Sequence, residues 1–133
     1  MKVFVAYRFT GEDPKELHDI LGNIRSRLET RGHEVYCSFF EEDFFRERRM
    51  DRDQIYNHCM QKLDESDAVL VFVKSNDASK GISMETERAS QQRKRIVLAI
   101  RQGLDQKEIR DRATELIEYR NYEELYRRLE GFR

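Results

Sequence analysis

The chain has 133 residues, and its 25 Lys+Arg against 26 Asp+Glu leave a formal net charge of -1; one core can close at this length without disulfides or metals. The charge balance excludes the basic excess of a nucleic-acid or anionic-membrane surface, and no apolar run nears the ~20 residues that cross a bilayer. Cys37 and Cys59 are too few and too far apart for a disulfide framework or a thiolate zinc site, and read as free buried thiols. No repeat, low-complexity tract or Gly/Ser linker interrupts the chain, so a single domain over residues 1–133 is expected. Met1-Lys2-Val3-Phe4-Val5 enters a strand without a signal-peptide apolar region, and a cytosolic setting is expected.

In chain order, residues 3–7 form a short apolar strand, and Leu17, Ile20, Leu21, Ile24 and Leu28 then recur at helical spacing. Asp13 is placed to cap that helix, Pro14 to occupy its first position, Glu16 to close a capping box and Gly32 to stop it. Residues 34–38 form the second strand, completing a βαβ unit. A helix over residues 51–65 turns Ile55, Cys59 and Leu63 inward. Residues 67–73 and 95–100 are nearly continuous apolar runs, as parallel strands covered on both faces require. Helices fit residues 83–93, 106–112 and 122–129, and residues 115–119 fit a fifth strand. This alternation, joined by right-handed crossovers, predicts an α/β fold: a doubly wound five-stranded parallel sheet in three α/β/α layers, with the flavodoxin-like order 2-1-3-4-5.

In such a sheet ligands bind beyond the carboxyl ends of the strands where the winding reverses, here between strands one and three. Tyr7, Arg8, Phe9 and Gly11 follow strand one, Ser75, Ser79, Gly81, Ser83 and Glu85 follow strand three, and a loop from Phe39 to Phe45 shares the rim. Ser75, Ser79, Gly81 and Ser83 lead into a helix whose free N–H groups favour a phosphate, although the same composition fits an ordinary connection. Glu85 falls in the expected first turn, where the helix dipole favours the ionised carboxylate. Such a group is suited to attack an acetal-like carbon. Phe39, Phe40, Phe44 and Phe45 either stack on a nucleobase or pack in the core or an interface. Arg8, Lys74 and Lys80 are candidate phosphate partners, whereas Arg46-Glu47-Arg48-Arg49 reads as a solvated face.

Asp67 followed by Ser79-x-Gly81-x-x-x-Glu85-x-x-x-Ala89 resembles the central signature of the nucleoside 2-deoxyribosyltransferase family, which includes 2′-deoxynucleoside 5′-phosphate N-hydrolases. The opening Lys2-Val3-Phe4-Val5-Ala6-Tyr7 is similar to that family too, and the similarity spans roughly residues 2–100. The resemblance implies Glu85 as the nucleophile at C1′ of the sugar, with Tyr7 among the catalytic residues. It also implies a small nucleoside or nucleotide as partner, no metal or other cofactor, and a homo-oligomer. Serine at Ser79 resembles the nucleotide hydrolases; the transferases often carry aspartate there. Arg8, Phe9, Gly11, Phe40, Ser75, Ser79, Gly81 and Ser83 are the expected substrate-binding residues.

Two positions depart from the pattern. Glu85-Thr86-Glu87 places a second carboxylate where the family has glycine, and Cys59 stands where a catalytic aspartate is usual. Asp51, Asp53 and His58 are the candidates to replace that acid, His58 because its ordinary pKa of ~6.5 suits proton transfer to a departing base. Phe4-Val5-Ala6-Tyr7-Arg8 and residues 66–76 also resemble a Toll/interleukin-1 receptor-like domain, some of which cleave NAD; the Trp-Cys pair typical of them is missing. A non-catalytic nucleotide-binding module is the third alternative.

Overall fold

The computed structural model describes residues 1–133. Its centre is a five-stranded, all-parallel sheet of order β2-β1-β3-β4-β5, the doubly wound arrangement expected from the alternating pattern. The strands are β1 (Lys2–Ala6), β2 (Glu34–Tyr36), β3 (Ala68–Val73), β4 (Arg95–Arg101) and β5 (Glu115–Tyr119). The helices are α1 (Pro14–Thr30), α2 (Glu42–Glu47), α3 (Arg52–Glu65), α4 (Lys80–Gln91), α5 (Lys107–Arg112) and α6 (Tyr122–Leu129).

Strand periodicity divides the core into two layers. Val3 and Val5 of β1, Leu70 and Phe72 of β3, and Val97 and Ala99 of β4 face α1 and α6, where they meet Leu17, Ile24, Leu125 and Leu129. The intervening Phe4, Ala6, Val69, Val71, Ile96 and Leu98 face the opposite layer, with Met60 and Leu63 of α3, Ile82 and Ala89 of α4 and Ile109 of α5. Every residue of β3 is buried, which explains its unbroken apolar run.

Local signals place the helix ends. Asp13 caps α1 by accepting from the Lys15 N–H, and Pro14 follows. Glu16 closes no capping box: its carboxylate accepts from Lys74 instead. At the far end, Gly32 takes φ +89°, with its N–H bonded to the Glu29 carbonyl and the His33 N–H to Leu28, a Schellman stop that needs glycine's left-handed freedom. Two expectations are corrected. The helix expected from residue 83 begins at Lys80, because Ser79 caps it by accepting from the Ile82 N–H; Lys80-Gly81 carries no apolar residue to reveal that turn. The aromatic stretch after β2 is helical rather than a loop: a 3-10 turn over Ser38–Glu41 runs into α2. This turns Phe39 and Phe40 onto His18, and Phe44 and Phe45 onto His58.

Candidate active site

The carboxyl ends of β1 and β3 are adjacent in the sheet, so the loops that leave them converge. Between them lies a cavity of about 440 Å³ lined by Tyr7, Arg8, Phe9, Ser38, Ser79, Gly81 and Glu85, with Thr10, Ala78 and Lys80. Six of the expected site residues, Tyr7, Arg8, Phe9, Ser79, Gly81 and Glu85, therefore share one space.

Glu85 lies in the second turn of α4, one turn deeper than expected, because the helix starts at Lys80. Its carboxyl makes no hydrogen bond or ion pair, and burial pushes its pKa up to about 8. The expectation that the helix dipole holds it ionised is thus corrected: the favourable field belongs to the first turn, while loss of water dominates at this depth. Tyr7 stands close to Glu85. Its hydroxyl is 3.0 Å from Ser38 Oγ; burial raises the phenol's pKa, against the Ser38 hydrogen bond, with a smaller contribution from the nearby Glu85 charge.

Arg8 divides this cavity from a second one of about 330 Å³, which Ser75 and Ser83 line on the far side of Ser79 and Lys80. Its guanidinium is already engaged: Nη1 is 2.6 Å from Glu12 and 3.5 Å from Asp77, and Nε donates to the Ala78 carbonyl at 3.3 Å. Gly11, at φ +81°, lies beneath that guanidinium; a Cβ there would come within 3.1 Å of Nη2. Glu12 also accepts from Lys74 at 2.8 Å. Burial works to raise its carboxyl, but hydrogen bonds from Lys74 and Arg8 hold it below the usual range. Arg8 therefore pins residues 77–78 across the crevice. Ser75 donates to Asp77 and Ser83 to Glu108, so of the three expected phosphate-binding serines only Ser79 opens on the Glu85 cavity. Lys80, on its rim, has no ion pair.

The remaining candidates lie elsewhere. His58 packs tilted or edge-on against Tyr36, Phe44 and Phe45 at ring distances of 5.2–6.0 Å and does not line the cavity. Asp53 is exposed in the first turn of α3, and Asp51 caps that helix by accepting from the Gln54 N–H. Phe40 packs beneath the Arg25 guanidinium, 4.0 Å from its ring centre, over a groove beside α1. Glu87 is exposed and does not crowd Glu85. Cys59 is half-buried, with the Tyr36 hydroxyl 3.7 Å from its Sγ. No group of three or more His, Cys, Asp or Glu side chains is arranged to hold a metal ion.

Sequence reasoning missed Ser38, Glu12 and Gln106. Ser38 and Glu12 are signalled only by their neighbours in space. Gln106, left-handed at φ 47°, donates to the Ser75 carbonyl, and no pattern in its own segment announces that bond.

Residues 1–98 match the family model described as Domain of unknown function (DUF4406), and no curated protein matches the chain. Among solved structures, a CMP N-glycosidase from Clostridium botulinum aligns at a TM-score of 0.76 and 19% identity, covering 100% of both chains. A 2-deoxyribosyltransferase from Bacillus psychrosaccharolyticus aligns at 0.75 and 15%, covering 100% of this chain and 93% of its own. A conserved protein from Enterococcus faecalis V583 follows at 0.60 and 14%, covering 97% and 96%. The first two bear out, at the level of fold, the family resemblance seen in the sequence.

Proposed function

This chain belongs to the DUF4406 family, and from that premise we propose that it cleaves or transfers the N-glycosidic bond of a nucleoside or nucleoside 5′-monophosphate. The observation that carries the reading is Glu85: the one carboxyl lining the 440 Å³ cavity, without a hydrogen-bond or charge partner. Partly buried, unpaired carboxyls of this kind are costly to keep and cluster at reactive sites. Ionised, Glu85 attacks C1′ as the base departs, through an oxocarbenium-like state to a glycosyl ester. Water then completes hydrolysis, or a second base completes transfer. Tyr7 and Ser38 border the Glu85 carboxyl and Phe9, Ser79 and Lys80 line the same cavity at the start of α4; in this reading Phe9 meets the base, and Ser79, Lys80 and the first N–H groups of α4 receive a 5′-phosphate. The likeness of fold to a CMP N-glycosidase and a 2-deoxyribosyltransferase supports the reaction class. The reading includes one domain over residues 1–133 acting as a cytosolic homo-oligomer.

The test is release of free base from a panel of ribo- and deoxyribonucleosides and their 5′-monophosphates, followed by chromatography. Glu85→Gln should lower release by more than about 100-fold. No release from any member, or equal release by the variant, rejects the reading; tight nucleotide binding without turnover would assign the cavity to a non-catalytic module.

A further inference from the structure

When an ordinary nucleobase departs, the electron pair of the C1′–N bond passes to the ring, and the base leaves as an anion unless an acid supplies a proton. Retaining glycoside chemistry meets this need with a second carboxyl group ~5 Å from the nucleophile. The cavity around Glu85 has none. Among the other proton-bearing groups, the Tyr7 hydroxyl is tied to Ser38, burial raises the pKa of Tyr7 and of Cys59, which lies off the cavity, and the Lys80 ammonium is exposed at the rim, on the side proposed for the phosphate. His58 is held among three aromatic rings off the cavity, Asp51 is spent as a helix cap, and Asp53 is exposed.

The same surroundings favour a cation. Glu85 is desolvated without a counter-ion, so a positive charge beside it would favour the ionised, nucleophilic form. Phe9 is 58 % exposed at the mouth, tilted against Phe39 at 6.3 Å, and Tyr7 meets Phe39 edge-on at 6.1 Å; these ring faces attract cations. Of the two cations on the lining, Arg8 is paired with Glu12 and Asp77, and Lys80, which is unpaired, is exposed at the rim, where the substrate's 5′-phosphate would neutralise it.

Resting on the reading of Glu85 as nucleophile, we propose that this cavity takes N-glycosides whose leaving group is already a cation: a ribosylated pyridinium or a purine nucleoside alkylated at N7. A Glu85 oxygen bonds to C1′, the C1′–N bond breaks, and its electron pair neutralises the ring, which departs as a neutral base without a proton. Water then bonds to C1′, the carboxylate is released, and the water's spare proton passes to Glu85 and on to solvent. One water is consumed and one proton released per turnover.

The experiment compares kcat/KM for matched substrates: nicotinamide riboside 5′-phosphate and 7-methylguanosine 5′-phosphate against CMP, dCMP and GMP. Rates are corrected for spontaneous hydrolysis and measured for wild type and Glu85→Gln. At least one cationic substrate should exceed the neutral ones by more than about 100-fold, the contribution a general acid would otherwise make, and the excess should vanish in Glu85→Gln. Which of the two is cleaved separates a pyridinium from an alkylated purine. Glu85-dependent cleavage of neutral substrates at an equal or higher rate overturns the inference and leaves the nucleophile reading standing. Absence of Glu85-dependent release from every substrate overturns both.

Discussion

A half-buried carboxyl group without a counter-ion makes stability depend on pH, and Glu85 is such a group. Its folded-state pKa of about 8 lies above the ordinary carboxylate range, so between that range and about pH 8 the folded chain keeps a proton that the unfolded chain releases. The stability contributed by neutral Glu85 is therefore full in acid and lost as pH rises through about 8. Urea unfolding should show wild type losing on the order of a few kcal/mol between about pH 5 and about pH 8 relative to Glu85→Gln; parallel profiles would contradict the assignment. Activity should move the opposite way, with kcat/KM rising towards about pH 8 as the nucleophile ionises. Gly11 makes a second residue-scale case. Gly11→Ala places a Cβ in a left-handed conformation and against the Arg8 guanidinium, and should cost about 1–2 kcal/mol, read by thermal or denaturant unfolding. That Tyr7, Arg8, Phe9, Ser79, Gly81 and Glu85 belong to the rim was legible from their places after strands one and three. That Arg8 is already paired and Glu85 is not was illegible, because both facts depend on which side chains the fold brings within reach.

At the scale of elements, helices with local signals were read well and those without were not. α1 carries its cap, its proline and its glycine stop in the sequence, and the structure uses all three. α3 is closed at its start by a reciprocal capping box, Asp51 accepting from the Gln54 N–H and the Gln54 side chain accepting from the Asp51 N–H, each at 2.8 Å. Asp51→Ala should cost about 1 kcal/mol in unfolding measurements and leave base release unchanged, since Asp51 lies off the cavity; a fall in turnover would return it to the list of candidate acids. The first turn of α4 escaped notice because its signal is a lone serine cap ahead of Lys80-Gly81, and glycine inside a helix argues against one. α2 was hidden by composition: four phenylalanines near a rim read as a loop whose rings either meet a nucleobase or pack in the core or an interface, and in the structure they pack on His18 and His58 from a helical segment.

For the whole molecule, one sheet carries both hydrophobic layers, so damage to either should weaken the same structure. Leu70 and Leu98 are fully buried on opposite faces. Leu70→Ala and Leu98→Ala should each cost about 2–5 kcal/mol, and each should shift a single cooperative unfolding transition; separate transitions would show the two layers melting independently. A doubly wound parallel sheet followed from sequence alone, because continuous apolar runs demand cover on both faces and parallel strands joined by helices cross over in one hand, and the count of five strands suggested the order that the structure shows. That order also located the crevice. Only the tertiary structure decided what the crevice contains: Tyr7 meets Ser38 across 31 positions and Arg8 reaches Ala78 across 70. Burial and charge pairing, which set the protonation of Glu85, are properties of such neighbours in space and leave no periodic trace along the chain.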